Sequence, residues 1–159
     1  MVVFQHASQP AAASHTEANE QEGRFSPDGK WVAYTSDENG VQEIFVQSFP
    51  LSGAKFQIST GGGSEPQWSP LGSRDGMELF YLSVNRTLMA VPISRSATEP
   101  FQPGLPQTLF HVPPVLIEGI TARSYAVGND GKRFLVSNGD QASSPPLTVV
   151  LNWRAGVKK

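Results

Sequence analysis

The sequence predicts an all-β fold, about three four-stranded antiparallel blades of a partial β-propeller. Three observations carry that reading. Turn formers are abundant, with 15 Gly and 13 Pro in 159 residues, so turns are frequent and long helices have little room. Asp-Gly turns recur at residues 28, 75 and 130. An aromatic opens each unit (Phe25, Trp68, Tyr125), and a second follows each turn (Trp31, Phe80, Phe134). The spacings of 47 and 55 exceed the roughly 40–45 residues of a four-stranded blade. Leu71 to Arg74 and the segments 95–106 and 112–121 account for the excess.

The elements follow in order. Residues 1–21 read as an N-terminal strand (Val2 to His6) and a loop, and the blades span 22–159. In the first unit Arg24-Phe25-Ser26 leads into Pro27-Asp28-Gly29-Lys30. There Pro fixes one corner of the turn, Asp bonds its own backbone and Gly takes positive φ. Trp31 to Thr35 and Glu43 to Phe49 are strands rich in β-branched and aromatic residues, joined through Asn39-Gly40. Lys55 to Ser59 is the fourth strand. The second unit repeats this order with Glu65 to Pro70, Glu78 to Leu82, Thr87 to Ile93 and Gln107 to His111. The third has Arg123 to Val127, Arg133 to Ser137 and Pro146 to Trp153, with no fourth strand. Phe25, Trp31, Tyr34, Phe45, Trp68, Phe80, Leu82, Leu88, Tyr125, Phe134 and Val149 are expected to form most of the inter-blade core. Val2 to His6 is expected to pair beside Leu147 to Trp153, within one chain or by exchange between two. Exchange would complete a six-bladed ring as a homodimer.

Composition narrows the partners. A net charge of −2 gives no basic footprint for nucleic acid, and no apolar run reaches the roughly 20 residues of a membrane span. Cysteine is absent, which excludes disulfides, thiolate metal sites and a cysteine nucleophile. The first residues lack the basic and apolar regions of a signal peptide.

Chemical motifs are sparse. Gly61-Gly62-Gly63-Ser64 has no following Lys-Ser or Lys-Thr and reads as an inter-blade turn, not a phosphate loop. Gly-x-Ser-x-Gly does not occur. His6, His15 and His111 lack the spacing of a metal pair. Asp37-Glu38-Asn39 with Glu43 loosely matches a calcium loop but reads as a solvated hairpin. No cofactor and no metal is expected. Glu22, Glu65 and Arg123 each lie just before the first strand of a unit. They are expected to ring one mouth of the central channel as a binding site for a protein, peptide or small molecule.

Phe25-Ser26-Pro27-Asp28-Gly29-Lys30-Trp31-Val32-Ala33-Tyr34 resembles the repeat of TolB-like propellers. The second unit resembles it with an insertion. The third keeps Asp130 to Phe134 but has Val-Gly-Asn where the family usually has Ser-Pro. From about residue 16 onward, Ile58 to Gly63, Glu78 to Leu82 and Pro146 to Trp153 resemble the C-terminal propeller end of bacterial proteins. Those proteins often carry a Ser/Thr kinase domain upstream, and no kinase motif occurs here. The resemblance implies a non-catalytic binding or scaffold module, part of a larger, periplasmic or otherwise extracytoplasmic propeller protein. The alternatives are the accessory propeller of a prolyl-peptidase-type hydrolase and a small stand-alone hydrolase.

Overall fold

A computed structural model of the chain describes residues 18–70, 76–96, 99–114 and 123–136, and the backbone of 148–150. The expected strand at Val2 to His6, its pairing partner and the side chain of Val149 lie outside the described residues. Twelve strands and no helix occur among the described residues. They form three antiparallel sheets, set side by side as the blades of a partial propeller.

Sheet 1 is a meander of β1 (Glu20–Phe25), β2 (Trp31–Ser36), β3 (Glu43–Ser48) and β4 (Lys55–Gln57) in chain order. The β1–β2 turn forms as its residue types dictate. The Gly29 N–H donates to the Ser26 carbonyl at 2.9 Å, with Gly29 at φ 69°. The Ser26 hydroxyl donates to Asp28 Oδ1 at 2.6 Å and accepts from the Trp31 N–H at 3.0 Å. The third unit repeats the turn with Gly128 in place of Ser26. Gly131 donates to the Gly128 carbonyl, and Arg133 Nε replaces the missing hydroxyl on Asp130 at 2.8 Å. Gly131 also sits against Ser69 of the second blade, so a Cβ there would collide with the Ser69 hydroxyl.

Sheet 2 contains β5 (Gly63–Trp68), β6 (Gly76–Ser83), β7 (Thr87–Ser94), β8 (Gln102–Pro103) and β9 (Gln107–His111). Its outer position is divided. Both β8 and β9 pair with β7, at Ile93–Ser94 and at Thr87–Ala90 respectively. The sequence reading placed only the second of these and left residues 95–106 as a loop. Sheet 3 contains β10 (Tyr125–Val127), β11 (Phe134–Val136) and β12 (Thr148–Val150).

Strand alternation sorts the core. Side chains of β6 point in turn to the two neighbouring blades. Met77, Leu79 and Tyr81 join Trp31, Ala33, Ile44, Val46 and Trp68 in the seam between sheets 1 and 2. Phe80 and Leu82 join Leu88, Tyr125, Phe134 and Val136 in the seam between sheets 2 and 3. Phe101, just before β8, fills the middle of the first seam. Its ring centroid lies 4.4 Å from Trp31, 4.8 Å from Phe56 and 6.4 Å from Trp68.

Three core expectations need correction. Phe25 is 52% exposed and leans its edge on Phe49, because it ends β1 where the chain turns outward. Tyr34 and Phe45 are buried, but on the face of sheet 1 turned away from sheet 2. They form a separate cluster with Val32 there, and Lys55 Nζ lies 4.7 Å from the Phe45 ring centre. The period of two forces this, since Trp31 and Ala33 already claim the other face.

Trp31→Ala removes a ring at the centre of the first seam and is expected to cost about 3–5 kcal/mol in denaturant unfolding, whereas Phe25→Ala stays within about 1 kcal/mol. Equal losses would show that Trp31 does not anchor the seam. A second expectation concerns pH. Burial pushes the Asp28 carboxyl up. The Ser26 hydroxyl, the Lys30 N–H and the Arg95 and Lys30 charges outweigh it, and the net shift is downward. A depressed carboxyl contributes stability that is present above the ordinary value of about 4 and is lost as pH falls through the folded value. Asp28→Asn should therefore lose stability at neutral pH and show a shallower acid limb in melts between about pH 5 and pH 2.

Candidate functional site

The two ends of the sheets differ in chemistry. The described Asp-Gly turns, at Asp28 and Asp130, lie at one end. The other end carries the β2–β3 and β6–β7 hairpins, the start of each inner strand and the connectors between sheets. The expected site residues lie at this hairpin end.

Glu22 and Glu65 occupy equivalent places, each three residues before the aromatic that ends its inner strand. Both have left-handed backbones, with φ 59° and 53°, and both sit where the pairing register shifts. That conformation costs a non-glycine residue about 1–3 kcal/mol and persists only where the surroundings hold it. Here side chains hold it. Glu22 Oε2 accepts the Glu65 N–H at 2.7 Å. Glu65 Oε2 accepts the Ser124 N–H at 2.7 Å, and its Oε1 accepts the Ser124 hydroxyl at 2.6 Å. Each carboxylate thus reaches the next blade and grips it through the main chain. The equivalent place in the third unit is Ser124, three residues before Val127. Arg123 stands one place earlier and is exposed.

The three expected residues do share a neighbour. The buried Tyr125 phenol donates to the Glu65 carbonyl at 2.7 Å. Burial pushes this phenol well above its usual value, with Glu65 and Glu22 adding to the rise and Arg123 opposing it. Tyr125 is therefore a fixed neutral donor. Two further bonds repeat the pattern of side chain to neighbouring main chain. Trp68 Nε1 donates to the Arg24 carbonyl at 3.0 Å, and Gln67 Nε2 donates to the Tyr125 carbonyl at 2.7 Å.

Two charged groups that sequence reasoning left aside organise the connectors. Glu43 is buried at the start of β3. Its Oε1 accepts the N–H groups of Gly61 and Gly62 at 2.8 and 3.0 Å, and its Oε2 accepts the Ser59 hydroxyl. The glycine run is thus an inter-blade turn whose donors are filled from within the protein. Gly63 is required there, since a Cβ would meet Ile44 Cγ1 at 2.8 Å. The other residues of the loosely calcium-like stretch are engaged separately. Asp37 accepts the Asn19 N–H at 2.7 Å, and Glu38 pairs with Lys55. Among the described residues, no group of three or more His, Asp or Glu is placed to hold a metal.

Arg86 plays the opposite part to Glu43. It occupies the β6–β7 turn at φ 57°, where Asn or Gly is usual. Its Nε donates to the Val112 carbonyl at 3.1 Å. Its Nη2 donates to the Pro113 carbonyl and to the Ser124 hydroxyl, both at 2.9 Å. The Asn85-Arg86 hairpin turn was the sequence signal for Arg86, and Glu43 drew notice only within the loosely calcium-like stretch.

Between these connectors a groove of about 460 Å³ opens on the hairpin end. Val41, Gln42, Gly61 to Ser64, Leu82 to Val84 and Arg86 line it. Its wall is mostly apolar. Val41 is 55% and Val84 72% exposed. Gly62 presses close to the second of these, as a Cβ on it would sit 3.1 Å from Val84 Cβ.

No family model matches this chain, and no curated protein does. Among solved structures it is similar to TolB from Acinetobacter baumannii, with 14% identity and a TM-score of 0.36. The likeness covers 86% of this chain and 42% of the TolB chain, so the present sequence spans less than half of that protein's length.

Glu65→Ala frees two donors at Ser124 and is expected to cost about 1–3 kcal/mol, while Arg123→Ala changes stability by less than about 0.5 kcal/mol. Chemical unfolding of both variants checks this, and equal effects would remove the staple role of Glu65.

Proposed function

We propose that the chain is a non-catalytic binding module of propeller type that takes its ligand in the groove at the hairpin end. The observation that supports this reading is how its charged groups are used. Both oxygens of Glu65 and of Glu43, and one of Glu22, accept bonds from the protein itself. The mostly apolar groove beside them keeps two exposed valines in water. A concave, largely apolar surface with a few fixed polar groups is the usual form of a binding site. The repeat at residues 25–34 and the shortened one at 130–134 support kinship with TolB-like propellers. Glu22 and Glu65 are assigned here to the support of the site and not to its lining, and Arg123 is assigned to neither.

A pool of short apolar peptides titrated into labelled protein provides the test. Amide shifts are expected at Val41, Gly62 and Val84. Val84→Glu should weaken them without moving the melting temperature, since Val84 is 72% exposed. Shifts confined to other surfaces would overturn the groove. Cleavage of the pool, followed by chromatography, would favour a hydrolase instead.

A further inference from the structure

We infer that the occupant of this groove is the C-terminal end of a peptide chain, its free carboxylate on Arg86 and its last side chain, branched and apolar, between Val41 and Val84. The inference rests on the binding reading above and specifies its ligand.

The argument begins with Arg86. Its guanidinium carries five N–H donors. Three bonds are made through Nε and Nη2, all to neutral acceptors. Nη1 has no acceptor among the described residues, and Arg86 forms no ion pair with any of them. Among the described residues this part-buried cation has no carboxylate in contact, Glu65 reaching it only through the shared Ser124 hydroxyl, and that is an unfavourable arrangement beside an apolar wall. The left-handed backbone of the residue adds to that cost. An incoming anion would relieve the first of these by pairing with the charge.

The size and surroundings of the site select the anion. Arg86 is the one cationic residue in the groove lining. The glycine N–H groups that would otherwise suit a phosphate are already filled by Glu43. A single negative charge therefore fits and a dianion does not. The valines demand an apolar branch close to that charge. Gln42, Ser64 and Ser83 set polar groups among the apolar ones, which matches a peptide backbone better than a plain alkyl chain. A terminal carboxylate and the side chain on the same residue meet these demands together. Glu43, already saturated, sets an electrostatic limit against a second negative charge.

The experiment compares three probes by amide shifts on the full chain: acetyl-Ala-Val-Val as the free acid, the same peptide as its C-terminal amide, and octanoate. The free acid is expected to bind at least about tenfold tighter than the amide, and its advantage should shrink as salt rises from about 0.05 to 0.5 M. Arg86→Gln should remove that advantage. Because Arg86 also anchors a connector, Val84→Glu serves as the variant with an intact fold, and it should reject the acid more strongly than the amide. Equal binding of acid and amide would overturn the carboxylate assignment and leave the groove standing. Octanoate equalling the acid would overturn the peptide assignment. If neither peptide shifts any groove amide, and the mixed pool fails too, the binding reading itself falls.

Discussion

Two inner strands of this protein are kinked by glutamates at left-handed φ, and much of the remaining geometry depends on those kinks. Glu22 and Glu65 interrupt the pairing of β1 with β2 and of β5 with β6. Each kink sends its carboxylate sideways instead of along the strand, and an N–H of the next blade waits at 2.7 Å. Trp31, Phe101 and Trp68 supply apolar area, but area alone does not fix the angle at which two sheets meet. A charge-assisted bond to a backbone N–H does, because it is short and directional. The cost of the left-handed φ is offset by that bond and by the Tyr125 phenol, which braces the Glu65 carbonyl from below.

The connectors show one problem solved with opposite charges. Each hairpin end must hold the chain as it leaves one blade for the next, and the backbone groups there lack ladder partners. In the first connector the loose groups are N–H donors, and Glu43 accepts them. In the second they are carbonyls, and Arg86 donates to them. The difference decides where the two ions stand. The carboxylate has filled both its oxygens and is buried, whereas the guanidinium keeps spare donors and borders the groove. The asymmetry of the hairpin end thus arises from which backbone groups each connector leaves bare.

Much of this architecture was legible in the sequence. The Asp-Gly turns, the paired aromatics and the β-branched and aromatic content of Trp31 to Thr35 mark the blades, because turn chemistry and strand propensity are local properties. Glu22 and Glu65 stood out as charges just before the first strand of a unit. What they do was not visible, since a carboxylate bonded to a distant N–H looks in sequence like any exposed charge. The third member was misaligned by one residue: Arg123 attracts notice by its charge, but Ser124 holds the place. Phe101 was hidden for another reason. It lies in a segment with several prolines and no strand pattern, and only the folded chain brings it to Trp31. The facing of Tyr34 and Phe45 was recoverable, because Trp31 and Ala33 fix the register by parity.

The staples have a direction. In both glutamate staples the carboxylate comes from the earlier blade and the N–H from the later one, whereas Trp68 and Tyr125 donate back to carbonyls of the earlier blade. Any residue except proline supplies such an N–H, so the receiving side places almost no demand on its own codon. Substitutions there keep the main-chain bond, while the accepting glutamate carries most of the genetic burden. A copied blade that brings its glutamate along would find a compatible neighbour at once, with no matching change needed in the unit it joins. Repeats joined in this manner can multiply and diverge in sequence faster than pairs that must mutate together.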